Sequence, residues 1–251
     1  MKRFALSLAI WLLGSAATYA ADSAELNILG FSADEKIFAF EQFGTEDGSG
    51  FPYSEIYVVD TSKDEWVKGS PIKVRPDNED AKLVDVIAQA RAKYAPLQKS
   101  FGIAAPAQVL ARHTVTEPFA NRKAITFDTW FMSSMEGAVP DVPDTLKEGR
   151  YTISVAPKTL PGTKDCPTDM GDYAGFTLSL HAEKDHSDRV LFADDKLPAS
   201  RGCPMAYDMQ AVVTGMTNDQ SDQMVAIVGV YTLGFEGKDL RYMAVPFKLN
   251  P

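Results

Sequence analysis

The sequence predicts a mainly β protein: antiparallel sheets arranged as a sandwich or partly open barrel, with one amphipathic helix near residues 80–100. Three observations lead there. Short runs rich in Val, Ile, Thr, Phe and Tyr recur along most of the chain, separated by clusters of Gly, Asp, Ser and Pro. Several of these runs alternate in polarity, as in Ile125, Phe127, Thr129 and Phe131, which is the period-2 signature of a half-buried strand. One stretch alone, Asp80 to Phe101, carries apolar residues at helical spacing instead.

The first twenty residues are set apart from the fold. Lys2 and Arg3 are followed by the apolar run Phe4 to Ala17, and Thr18-Tyr19-Ala20 supplies small residues at the third and last positions before a cut. That order is a secretory leader cleaved after Ala20. The apolar run is shorter than the ~20 residues that span a bilayer, which disfavours an anchor. The expectation is a periplasmic or otherwise secreted protein with no membrane insertion once the leader is gone. The chain carries a net charge of −9, and losing Lys2 and Arg3 makes it more acidic still. Such a surface repels nucleic acid and anionic lipid.

From Glu25 the strands follow in order. Leu26–Ser32 leads through the turn Ala33-Asp34-Glu35-Lys36 into Ile37–Phe43; Ser54–Asp60 and Trp66–Lys68 come next. This reads as an antiparallel meander. In the helix, Leu83, Val84, Ile87, Ala90, Ala92 and Tyr94 form the apolar stripe, Asp77, Asn78 or Asp80 caps the start, and Pro96 or Gly102 ends it. Its expected role is to cover one face of a sheet. A soft boundary near Gly102–Pro106 divides residues 21–102, meander plus helix, from residues 103–251, a second antiparallel region; the two can form a single unit. In the second region the candidate strands are Gln108–Val115, Lys123–Phe131, Arg150–Ala156, Gly175–Ala182, Arg189–Phe192, Tyr207–Thr214, Met224–Phe235 and Leu240–Leu249, the last two joined by a tight turn at Glu236–Asp239.

Cys166 and Cys203 are the only cysteines, and in an exported chain they allow one intramolecular pairing. The bridge would close a β-hairpin region and contribute about 3–4 kcal/mol through the entropy of the unfolded loop. The segment before Cys203, Leu197 to Pro204, is a poor strand: two prolines remove backbone donors and Gly202 admits unusual backbone angles. Arg201 within it is a candidate ligand contact, or else the partner of Asp194 or Asp195.

Catalytic signatures are mostly missing. There is no nucleophile elbow, zincin helix, P-loop or dinucleotide fingerprint. Ser70-Pro71-Ile72-Lys73 has the Ser-x-x-Lys spacing, but it sits in a proline-containing strand-like run rather than at a helix start. His181, Asp185 and His186, with Glu183 nearby, would offer zinc-compatible ligands if the strand continued through them; a charged hairpin tip explains the same residues without a metal. Zinc is therefore the one ion the sequence suggests, and no other cofactor is implied. Glu46-Asp47-Gly48-Ser49-Gly50 lacks the alternating oxygens of a calcium loop and reads as a solvated turn. Trp130, if exposed beside Asp128, would suit a sugar or peptide groove.

Two resemblances add to this. Gly30–Lys36, Ile37–Phe40 and Glu55–Asp60 resemble one blade of a TolB-type propeller, whose repeats have glycine where this chain has Glu35; no second copy at a 40–50-residue period follows. Val190–Pro204, together with Tyr231–Gly237, Arg241–Pro246 and Gly30–Phe40, resembles the signature of a family of predicted secreted bacterial proteins of unknown function, domain of unknown function 2259. That resemblance implies export to a Gram-negative periplasm and carries no catalytic residues with it. Together the readings favour a non-catalytic protein that binds an unknown ligand or periplasmic partner or supports the envelope. An envelope hydrolase using dispersed carboxylates and a weak metal-handling protein are the alternatives.

Overall fold

In a computed structural model the described residues are 21–114, 121–129, 149–168, 172–216 and 222–250. Fourteen strands and one α-helix are seen among them: β1 (Glu25–Ser32), β2 (Ile37–Thr45), β3 (Pro52–Asp60), β4 (Glu65–Trp66), β5 (Ile72–Val74), α1 (Leu83–Phe101), β6 (Ile103–Ala105), β7 (Ala107–Arg112), β8 (Ala124–Asp128), β9 (Arg150–Leu160), β10 (Tyr173–Ala182), β11 (Ser187–Ala193), β12 (Pro204–Gly215), β13 (Gln223–Leu233) and β14 (Lys238–Lys248). Every strand pairing is antiparallel. The strands form three sheets, none closed into a barrel. The first has the order β4-β3-β2-β1-β6, with β5 also on β3; a central sheet runs β14-β13-β12-β7; an outer sheet runs β11-β10-β9-β8.

Side-chain alternation stacks these into layers. In β2, Phe38 and Phe40 point toward the central sheet, while Ile37 and Ala39 point toward the helix. In β13, Val225 and Ile227 meet the first sheet, while Met224, Ala226, Val228 and Val230 meet the outer sheet. β14 does the same with Ala244 on one side and Val245 and Phe247 on the other. The central sheet is thus buried on both faces, so β13 is a nearly unbroken apolar run rather than an alternating one. The layer order is helix, first sheet, central sheet, outer sheet.

Helix α1 covers the open face of the first sheet, as its amphipathic pattern implies. The buried stripe differs from the expected one: Val86, Ala90 and Tyr94 are inside, and Val84 is 66% exposed. Spacing of four fixes the true stripe, and neighbouring apolar residues outside it face water. The ends differ too. Lys82 occupies the N-cap, and its ammonium, which has no acceptor, makes no side-chain capping bond; Asn78 instead accepts the Asp80 N–H at 3.0 Å within its own turn. Pro96 lies inside the helix, and Gly102, with φ 61°, ends it in the left-handed conformation. Glu41, fully buried on β2, ties helix to sheet: it accepts hydrogen bonds from Arg91 (Nη2 at 2.7 Å), Asn27 (3.1 Å) and Ser54 (3.1 Å).

The turn between β1 and β2 fits the blade resemblance in one respect. Glu35, where those repeats usually have glycine, adopts φ 57°, a left-handed conformation that favours glycine. β4 is shorter than expected, covering Trp66 but not Val67 or Lys68. The chain passes from the first sheet to the central one at Pro106, between β6 and β7. Phe31, Phe38 and Phe40 share a core with Ala211, Val213, Val225 and Ile227, so the regions before and after that point bury each other's faces.

A doubly covered central sheet makes a specific demand. Ile227→Ala, which faces the first sheet, and Met209→Ala, which faces the outer sheet, should each destabilise by roughly 2–5 kcal/mol in urea unfolding. A near-neutral effect at either position would mean that one face is not a packed core.

Candidate functional site

A cleft of about 810 Å³ opens between the first sheet, the central sheet and the segment from Phe192 to Gly202. That volume lies within the roughly 300–1,000 Å³ typical of small-molecule sites. The first sheet supplies Phe40 and Gln42 from β2, Glu55 and Tyr57 from β3, Asp64 from the turn before β4, Trp66 from β4 and Lys73 from β5. The central sheet supplies Val230 and Thr232 from β13 and Arg241 to Ala244 from β14. In the first sheet, Phe40, Gln42, Glu55 and Tyr57 enter the cleft because they fall on the strand face turned toward the central sheet, the face that farther along buries Phe38 and Phe31.

Polar groups at the base are locked together. The Gln42 amide donates to Glu55 at 2.7 Å, and its carbonyl accepts the backbone N–H of Tyr242 at 2.7 Å, joining the two sheets. The Tyr57 hydroxyl donates to Glu55 at 2.7 Å, and Lys73 Nζ lies 2.6 Å from the other Glu55 oxygen. Burial alone would raise the Glu55 carboxyl. The bonds from Lys73, Tyr57 and Gln42 outweigh it and hold the group below the usual carboxylate range. Asp64 goes the other way. Crowding by the cleft walls pushes it up to about 6, against the pull of Arg201, although its surface still meets the solvent within the cleft. Its backbone holds φ 53°.

Aromatic rings line the same space. Phe40 and Tyr57 stack at 5.0 Å between centroids, and Tyr57 is 5.5 Å from Trp66. Phe40 and Tyr57 are buried, whereas Trp66 is 46% exposed. At the other end, Arg241 reaches Asp22 at 2.5 Å and lies over the Tyr53 ring at 4.3 Å.

The third wall is the stretch the sequence marks as irregular. Ala199–Arg201 forms one 3₁₀ turn and Gly202 has φ 68°. Arg201 lies 2.5 Å from Asp194, with side-chain exposures of 8% and 3%. Phe176, Phe192 and Tyr207 surround the guanidinium, their ring centroids 5.1, 5.8 and 5.7 Å away. Asp194 also accepts the Phe176 N–H at 2.9 Å. Of the two readings of Arg201, the internal pair is the one formed, and it is with Asp194. Cys166 and Cys203 are joined in a disulfide with 5.6 Å between Cα atoms. It ties this wall to the β9–β10 connection, within a small cluster of Leu160, Tyr173 and Leu197. The β10–β11 hairpin lies inside the closed loop, as expected.

The histidine hairpin is arranged differently from the zinc expectation. β10 ends at Ala182, so Glu183 and Asp185 fall in the turn instead of continuing the His181 face. His181 Nδ1 is 2.9 Å from Asp188, Asp185 accepts the Ser187 N–H at 3.1 Å, and the His181 and His186 rings are 6.3 Å apart. Among the described residues no three His, Cys, Asp or Glu side chains converge on one point. Around Glu46 the carboxylate is engaged by Arg75 and Ser49. His113 bonds the Ala124 carbonyl at 2.9 Å and is half-buried between β7 and β8. Ser70 accepts the Val58 N–H at 2.8 Å and Lys73 turns to Glu55, so the Ser-x-x-Lys spacing is coincidental. Trp130 and the cleavage position Ala20 lie outside the described residues.

The cleft residues Gln42, Glu55, Tyr57, Asp64, Trp66 and Lys73 were not singled out as a site by sequence. They form no local motif. The one available signal is that Glu55 and Tyr57, a carboxylate and an aromatic, share one face of β3.

Fold and site together define a layered antiparallel β protein with a polar–aromatic cleft walled by a disulfide-pinned segment. The chain belongs to the family described as "Predicted secreted protein (DUF2259)", whose model matches residues 39–248. It is a secreted protein on that description, and no described helix is long and apolar enough to cross a membrane. No curated protein and no solved structure matches the chain.

Two consequences can be measured. Arg201→Ala strands Asp194 as a buried, uncompensated charge and should cost about 3–5 kcal/mol in urea unfolding, whereas Asp194→Asn combined with Arg201→Met should cost clearly less. Asp64 binds a proton more tightly folded than unfolded, so it makes stability fall as pH rises from about 4 through about 6. Asp64→Asn should remove that slope, and carboxyl NMR should place the Asp64 midpoint near 6.

Proposed function

We propose that this is a non-catalytic ligand-binding protein of the bacterial periplasm, and that its ligand occupies the cleft between the first and central sheets. One observation carries the reading: an open cleft of about 810 Å³ whose polar base is held rigid by Gln42, Glu55, Tyr57 and Lys73 beside the exposed Trp66. Groups fixed before binding lose little freedom on binding, which is how a site gains affinity. The leader pattern, the disulfide and the family description support an oxidising, exported location.

A second reading, an envelope hydrolase, draws on the opposite displacement of two carboxyls in one cleft. Asp64 is raised to about 6 while Glu55 is held ionised, which is how a general acid and its ionised partner are set apart.

The small-molecule fraction of the host envelope should raise the thermal midpoint by roughly 5–10 °C when the ligand reaches about a hundredfold of its Kd. Ala193→Trp, which fills the cleft from an exposed position, should abolish that rise. An equal rise in the filled variant, or none in either, would overturn the binding reading. Product formed by the wild type but not by Asp64→Asn would favour the hydrolase.

A further inference from the structure

We infer that the ligand of the cleft is a neutral carbohydrate, stacked on Trp66 and held through its hydroxyls by the Glu55–Lys73 pair. The inference rests on the ligand-binding reading and adds the chemical class.

Charge excludes the polyionic classes first. Five carboxylates and four cations line the cleft, and most are already paired: Glu55 with Lys73, Asp194 with Arg201, Arg241 with Asp22 and Glu46 with Arg75. A polyanion would need a cationic surplus and a polycation an anionic one; neither exists here. An acyl chain would need an apolar lining, and the base of this cleft is polar.

What the cleft does offer matches a sugar ring. A pyranose has an apolar C–H face and a rim of hydroxyls that both donate and accept. Trp66 presents the broadest exposed ring in the cleft, seated against the buried Tyr57 and so fixed in place. An aromatic face of that kind pairs with a C–H face and leaves the rim free. Beside it, Glu55 uses three of its roughly four acceptor positions on Lys73, Tyr57 and Gln42, which leaves one for a ligand hydroxyl. Lys73 spends one donor on Glu55 and keeps two, with its side chain 56% exposed. One acceptor and an adjacent donor, fixed by partners, are what a vicinal diol requires. Asp64, close to its midpoint at mildly acid pH, can donate or accept at the same rim.

The test is isothermal titration of the purified chain with neutral hexasaccharides: β-1,4- and α-1,4-linked glucose and β-1,4-linked N-acetylglucosamine. At least one should bind saturably. Trp66→Ala should weaken that binding about tenfold, the upper value of a single well-placed aromatic contact, and Glu55→Gln should weaken it as well. Trp66 is half-exposed on a two-residue strand, so its removal leaves the core intact, and an unchanged thermal midpoint verifies this. Sugar binding that survives Trp66→Ala would overturn the inference, since the sugar would then sit elsewhere. Tripeptides or octanoate binding in a Trp66-dependent way, with no response to sugars, would overturn the carbohydrate class but keep the cleft as a site. No Trp66-dependent binding of any of these probes at millimolar concentration would count against both.

Discussion

The central sheet decides the structure because both of its faces must be dry. A strand with one wet face can carry polar residues at every second position; β13 has almost no such freedom, and β12 keeps Asp208 and Gln210 dry only by bonding them to each other and Asp208 to Tyr231. Their side chains feed two cores at once, Val225 and Ile227 on one side and Ala226 and Val228 on the other. The remaining layers follow from this. The first sheet and the outer sheet must each turn one apolar face inward. The first sheet is then left with a second apolar face, carrying Ala39, Ile56 and Val58, which only α1 covers. The helix is the last layer of a stack that starts from β13.

The same geometry shapes two of the three cleft walls from strands, the third being the segment from Phe192 to Gly202. Strands β2 and β3 bury Phe38 and Phe40 against the central sheet, and two residues farther along the same face is Gln42, bonded across to the backbone of Tyr242. Beyond that bond the facing side chains become polar and the sheets no longer share a hydrophobic core. The site is a continuation of the core in which the residue types change while the strand period does not. Such sites are rigid, because each side chain is fixed by its strand as well as by its neighbours.

The sequence made the layers' pieces legible far better than their stacking. Most strands follow from period 2 and the helix from its spacing, but limits shift: β4 stops at Trp66, β7 at Arg112, and β9 runs on to Leu160. An internal partner for Arg201 follows from proximity, although Asp194 and Asp195 are both near in sequence; the left-handed backbone of Glu35 is not read from the chain. β13 was visible as a strand, but whether an apolar run lies in the middle of a stack or in a one-sided core depends on what packs against it, which is long-range information. The helix cap is not legible, because Asp77, Asn78 and Asp80 all have capping chemistry while the helix starts only after Lys82, beyond all three. The cleft was illegible for a stronger reason. Its walls come from residues 40–73, 192–202 and 230–244, three stretches brought together only by sheet packing. Lys73 makes the point: in sequence it completes a Ser-x-x-Lys spacing with Ser70, yet its position in the fold is set by Glu55 on the adjacent strand.

The disulfide acquires its reason from this arrangement. Ala193 to Cys203 must cross from the outer sheet to the central sheet while forming a wall, and with prolines at 198 and 204 and Gly202 at φ 68° it cannot be held by a strand ladder. Three other devices replace the ladder. Asp194 accepts the Phe176 N–H at the near end and carries Arg201, whose guanidinium is boxed by Phe176, Phe192 and Tyr207. Leu197 anchors the middle in the cluster with Leu160 and Tyr173. Cys203 pins the far end to Cys166. A protein of this size can bury an adequate core without a covalent staple. The bridge is therefore best understood as holding one irregular wall in register with a cleft that two sheets have already shaped.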